Sequence, residues 1–157
     1  MVDELDARLL LLLGAQPRLG VLECSRRLGV ARGTVQARLD RMQHDGVIRG
    51  FGPDVDPAAL GYGVTAFATM QIRQGRGAAV ARRLAGIPEV IEVHTITGDA
   101  DLLARIVARS NPDLQRVIDS VVADDDIVRT STSIALSAHI PYRTAPLLQL
   151  SVGPRRE

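Results

Sequence analysis

Lysine and tryptophan are missing from this chain of 157 residues, and cysteine occurs once. A single cysteine, Cys24, excludes an intrachain disulfide and a cysteine-based metal cluster. With two Tyr and two Phe, the chain lacks the aromatic platforms on which single-stranded nucleic acid and unpaired RNA bases stack. Its core must come from Leu, Val, Ile and Ala. Long apolar runs are missing too. The leucine run Leu9 to Leu13 is far shorter than the about 20 residues of a spanning helix, and the acidic start MVDELD has the wrong charge for a secretory signal. These features lead us to expect a cytoplasmic protein with no membrane partner. Nor does one sign of charge dominate: 19 basic residues stand against 18 acidic ones, so a polyanion would have to meet a local patch. All the basic residues are arginine, the side chain that makes bidentate contacts with phosphate and guanine. Codon preference alone would give the same composition.

What is present is periodic. Leu5, Leu9, Leu12 and Leu13 recur at helical spacing between Asp3 and Gly14, with Asp3, Glu4 and Asp6 where the helix dipole favours acids. A second short helix fits Gly20 to Leu28, followed by a turn at Gly29-Val30. The spacing predicts a third helix over Arg32 to His44 that buries Val35, Leu39 and Met42 and stops at Gly46. Val47 to Val55 reads as extended, like the strand of a winged helix. Residues 1–51 thus form a helix-turn-helix domain, and 52–62, rich in Pro and Gly, a hinge. From 63 to 143 the order is strand, helix, strand, strand, helix, strand, with Asn111 as cap and Pro112 as first residue of the last helix. This βαββαβ order is that of a ferredoxin-like unit, so the fold class is α+β. Residues 144–157 resist assignment.

From Arg26 to Arg49 six Arg stand against two Asp, the local excess that phosphate binding requires. With Val35, Leu39 and Met42 buried, Arg32, Gly33, Thr34, Gln36 and Ala37 face outward, and Arg38 and Arg41 flank the stripe within reach of a phosphate backbone. Arg32 and Gln36 are types that read guanine and adenine edges, and Thr34 suits a phosphate or a thymine methyl. An amphipathic helix with a solvated charged face is the plainer reading. Ala31 stands at the expected N-cap, where Ser, Thr or Asp would contribute about 1 kcal/mol.

Several strands of the C-terminal half are apolar on both alternations: Leu102, Ala104 and Ile106 against Leu103 and Val107, and Val64, Ala66, Ala68, Met70 and Ile72 against Phe67. Two helices cover one sheet face. The other calls for a second layer, which a partner subunit would supply. The stretch ITGDADLLARIV sets two carboxylates, Asp99 and Asp101, on one glycine turn, which hairpin geometry alone would explain. Two acids fall short of a divalent-cation site. His44, His94 and His139 have no metal-ligand spacing, so we expect no cofactor, no metal and no catalytic residue.

Taken in order, LDARLLLLL (5–13), ECSRRLGVARGTVQARLDRMQHDGVIRGF (23–51), DVDPAALG (54–61), TGDADLL (97–103) and RTSTSIAL (129–136) resemble the Lrp/AsnC (feast/famine) family of transcription regulators, over nearly the whole chain up to Arg143. The chain departs from the family pattern at Cys24 and Ser25, usually Leu-Ala, and at Ala31, usually Ser. The resemblance implies a non-enzymatic regulator that binds double-stranded DNA. It further implies homodimers pairing through their sheets and assembling to tetramers or octamers, and a small effector, commonly an amino acid, bound near the turn between the second and third strands. Thr97, Gly98, Asp99 and Asp101 would then hold that effector, a carboxylate taking its ammonium group and backbone N–H groups its carboxylate, with Thr130 and Thr132 adding hydroxyls. Two alternatives remain: a sirohaem-decarboxylase-like enzyme of the same architecture, relying on His94 and His139, and a metabolite-binding module that no longer contacts DNA.

Overall fold

The structure, a computed structural model, describes residues 1–153. The described residues form two compact units, one comprising Met1–Pro53 with residues 140–153, the other Asp54–His139.

In the first unit α1 (Glu4–Ala15), α2 (Val21–Leu28) and α3 (Arg32–His44) follow one another. A capping box starts α1: the Asp3 carboxylate accepts from the Asp6 N–H at 2.8 Å, and the Asp6 carboxylate accepts from the Asp3 N–H at 3.1 Å. Two otherwise unpaired donors are satisfied this way. Gly29 closes α2 in the left-handed region at φ +68°, which a side chain would resist. It makes the tight turn into α3. Leu9, Cys24, Val35, Leu39 and Met42 form the buried core, so the expected stripe of α3 is the observed one. Burial raises the pKa of the Cys24 thiol, making it a packing group rather than a reactive one.

Two expectations fail here. No strand forms between Val47 and Val55. Ile48 turns inward and its N–H donates to the Met42 carbonyl at 3.0 Å, while Gly50, Gly52 and Pro53 break up the extended run. The winged-helix strand is therefore absent among the described residues. The unassigned tail contains a helix, α6 (Ala145–Ser151), packed on α1. Hence the second unit ends at His139 rather than at 143.

The second unit contains β1 (Val64–Ile72), α4 (Gly77–Leu84), β2 (Val90–Thr95), β3 (Leu102–Ala108), α5 (Asn111–Val122) and β4 (Ile127–Ala135), preceded by a 3-10 turn at Pro57–Leu60 inside the expected hinge. The sheet is antiparallel with order β2-β3-β1-β4. Ala66, Ala68 and Met70 of β1 and Leu102, Ala104 and Ile106 of β3 face the helices, against Val80 and Leu84 of α4 and Leu114, Val117 and Val121 of α5. The cap of α5 is Ser110, whose hydroxyl accepts from the Asp113 N–H at 3.3 Å. Asn111 and Pro112 each lie one place further into the helix than expected. The opposite sheet face carries Thr65, Phe67, Thr69 and Gln71, with Leu103, Arg105 and Val107 beside them and Arg129, Ser131 and Ser133 on β4. It is a mixed face, not the continuous apolar one that alternation suggested.

Candidate functional site

Two surfaces carry candidate chemistry, one in each unit. On the first, Arg32, Gly33, Thr34, Gln36 and Ala37 are exposed along α3. Ala31 is the N-cap and provides no side-chain acceptor. Gln36 donates from Nε2 to Asp40 Oδ1 at 2.7 Å.

Arg38 and Arg41 are engaged differently from the sequence expectation. Arg38 Nη1 lies 2.6 Å from Asp3 Oδ2 and 2.8 Å from Asp6 Oδ1, and Arg41 Nη2 pairs with Asp6 Oδ2. The Asp6 side chain is 0% exposed, that of Arg38 24% and that of Arg41 46%. Both arginines therefore dock α3 on the start of α1, and Arg38 has little surface left for a phosphate. Arg26 and Arg27 pair with Glu23. Of the six arginines counted above, Arg32 and Arg49 take part in none of the described ion pairs. The acids that serve as counterions were visible in the sequence, but only as a match to the helix dipole.

The Arg38 guanidinium holds the Asp3 carboxyl down to about 2, from an ordinary 3.8, with the Asp6 N–H adding to the effect. A depressed carboxyl stabilises the fold above the unfolded value and loses that contribution as pH falls through the folded one. The stability difference between the wild type and Asp3→Asn is thus expected to be full above about pH 4 and to vanish near pH 2. Acid titration followed by circular dichroism at several denaturant concentrations checks it; a constant difference down to pH 2 would contradict the pairing.

In the second unit the turn between β2 and β3 closes onto the end of β1. The Asp101 N–H donates to the Met70 carbonyl and the Ile96 N–H to the Asp101 carbonyl, each at 2.9 Å. Gln71 Nε2 donates to the Asp99 carbonyl at 2.6 Å, and Asp101 Oδ2 accepts from the Ile72 N–H at 2.8 Å. Gly98, at φ +110°, makes this turn possible. One oxygen of Asp101 is therefore committed to the backbone, whereas the Asp99 carboxylate has no described partner. Asp99 lines a cavity of about 250 Å³ with Thr69, Gln71, Ala100, Arg129 and Ser131.

Thr130 and Thr132 are not among the lining residues. They pair with Met70 and Ala68, so they lie on the helix-covered side of the sheet, and Thr130 Oγ1 is buried without a partner. Arg129 and Ser131, paired with Gln71 and Thr69, hold the places the threonines were expected to fill. Polar residues occur on both alternations of β4, so its sequence does not fix which set faces the cavity. Only pairing with the one-sided β1 does. Thr97 is exposed beside the turn and lines nothing described.

The histidines form no cluster: His94 Nε2 lies 2.9 Å from Glu92 Oε1, and among the described residues no three potential ligands could hold a metal. No described helix is long and apolar enough to cross a membrane.

Comparison with known proteins covers both units. Residues 2–43 match the AsnC-type helix-turn-helix domain, and residues 65–145 match the Lrp/AsnC ligand binding domain. The HTH-type transcriptional regulator FL11 of Pyrococcus furiosus is 31% identical over 139 residues, 88% of this chain and 92% of its own. The structure of E. coli AsnC is similar with a TM-score of 0.86 at 29% identity, covering 93% of this chain and 99% of its own. A transcriptional regulator from Neisseria meningitidis, solved as an L-Met complex, shares the fold with a TM-score of 0.81 at 24% identity, over 96% of this chain and 99% of its own.

Proposed function

Because the chain belongs to the Lrp/AsnC family of DNA-binding transcriptional regulators, we propose that it reads operator DNA with α3 and answers to a free α-amino acid held at the β2–β3 turn. The observation that carries this reading is that Asp99 and Arg129 line one polar cavity. An α-amino acid presents an ammonium and a carboxylate; Asp99 suits the first, and Arg129, as a planar fork, the second. Gln71, Thr69 and Ser131 add hydrogen-bonding groups, and Gly98 keeps the turn open. The L-Met complex of the Neisseria meningitidis regulator supports the ligand class. On the DNA side, Arg32, Gly33, Thr34, Gln36 and Ala37 form the reading edge, and Arg41 bridges Asp6 and a phosphate. Arg38 acts as a docking residue rather than a phosphate contact.

Two copies pair through the mixed sheet face, setting their α3 helices in successive major grooves ~34 Å apart. Ligand shifts the dimer toward tetramers or octamers by its differential affinity for the two states.

Calorimetry with the twenty amino acids, paired with gel shifts on the operator region, tests the reading. At least one amino acid should bind and change the shift. Asp99→Ala should weaken that ligand about tenfold, the value of one charge-assisted hydrogen bond, and leave the melting temperature unchanged. Asp101→Ala should instead cost about 1 kcal/mol of stability by leaving the Ile72 N–H without its acceptor. If Asp99→Ala binds every amino acid as the wild type does, the turn is a hairpin and nothing more.

A further inference from the structure

We infer that Asp40 is a positioning residue that fixes the Gln36 amide so that it accepts adenine and rejects guanine. The inference rests on the reading of α3 as the DNA-contacting helix and adds to it a base preference and the residue that sets it. Gln36 and Asp40 are one helical turn apart and both exposed, and Gln36 Nε2 donates to Asp40 Oδ1 at 2.7 Å.

A free glutamine can present its amide either way round, because oxygen and nitrogen exchange by a simple rotation. An ionised carboxylate has acceptors only, so it draws the nitrogen to itself and holds the carbonyl away. One of the two N–H donors is consumed. The edge left to meet DNA is one N–H beside one carbonyl oxygen.

That edge matches one base in the major groove. Adenine offers an acceptor at N7 and a donor at N6, which one N–H and one carbonyl satisfy together. Guanine offers two acceptors, N7 and O6. An untethered glutamine can turn both N–H groups toward them. With one N–H committed to Asp40, Gln36 would face O6 with a carbonyl oxygen, and repulsion replaces a hydrogen bond. Asp40 therefore works against the wrong base more than for the right one, a common route to specificity. It also accounts for an acid on the exposed side of a helix that meets a polyanion, where charge alone would disfavour it.

The test is selection from a randomised duplex pool with the full chain, comparing the wild type with Gln36→Ala, Asp40→Ala and Asp40→Asn. Both positions are exposed, and equal melting temperatures check that the fold is kept. The wild type should enrich adenine at one position in each half-site, and Gln36→Ala should lose that position alone. Asp40→Ala should still select the site, with the adenine-to-guanine preference there reduced roughly tenfold, within the range of one bidentate contact. Asp40→Asn, whose side-chain carbonyl still accepts from Nε2, should keep most of it. An unchanged preference in Asp40→Ala overturns the inference, as does a loss spread evenly over all positions. A wild type that binds duplex without choosing a sequence overturns it while leaving DNA binding standing. A wild type that binds no duplex removes the reading of α3 as well.

Discussion

Asp6→Ala is expected to lower the stability of the first unit by about 3 kcal/mol, the low end of the range for breaking a buried ion pair by removing one partner. The low end applies because Arg38 and Arg41 keep 24% and 46% of their surface in water and can be solvated again once the carboxylate has gone. A surface salt bridge would be worth less than 1 kcal/mol. Asp6 differs because its carboxylate is wholly buried, accepts from the Asp3 backbone and meets two guanidiniums from a helix more than thirty residues away. Asp6→Asn keeps one acceptor and should cost less. Equilibrium unfolding of the full chain in urea measures both, with the midpoint shifting at constant slope. DNA binding gives a second readout of opposite sign. In the folded variant Arg41 loses its one described carboxylate partner while Arg38 keeps Asp3. Non-specific affinity should therefore rise as the Arg41 charge goes wholly to its phosphate, and the salt dependence should steepen by at most about one unit of slope. A shallower slope would mean that Asp6 holds Arg41 in place for a phosphate contact that is lost without it.

That contrast shows what the sequence could and could not disclose. The helices and strands from α1 to β4 were legible from their spacing and their ends, whereas α6 was not. Val35, Leu39 and Met42 leave one possible face for α3, and VTAFATMQI has both the alternation and the length of the observed β1. Charge gave less. Counting arginines finds the basic stretch, but whether a given guanidinium is free depends on an acid distant in sequence, and a helix-start acid at Asp6 looks the same whether it meets a dipole or a partner helix. The same limit applied at the cavity. Asp99 was identifiable from the turn it sits on, whereas choosing Arg129 and Ser131 over Thr130 and Thr132 needed the register of β4 against β1. The missing strand after α3 has another cause: Val47 to Val55 has strand-forming residues but no neighbouring strand to pair with. Propensity cannot supply a hydrogen-bonding partner.

Phe67→Asp is expected to dissociate the homodimer proposed above. Phe67 lies on the middle strand β1, on the face the helices leave uncovered, and is 41% exposed there. Beside it, Arg105, its cross-strand partner, has a buried Nε–H with no acceptor, so this face has both an apolar anchor and an unmet donor that a second copy can satisfy. An aromatic anchor at the centre of an interface carries 2 kcal/mol or more, and a carboxylate in its place would be buried without a designed partner. Together these amount to about 3 kcal/mol, or about 150-fold in the dissociation constant, which sedimentation at micromolar concentration resolves. Val122→Asp provides the control, since Val122 is 45% exposed but lies on α5, in the layer that covers the other face. Operator affinity should fall with the assembly, because one head alone loses the effective concentration that two linked heads supply, on the order of a hundredfold or more. A Phe67→Asp protein that sediments like a dimeric wild type would move the subunit contact to a different surface, and a wild type that sediments as a single subunit would remove the proposed dimer.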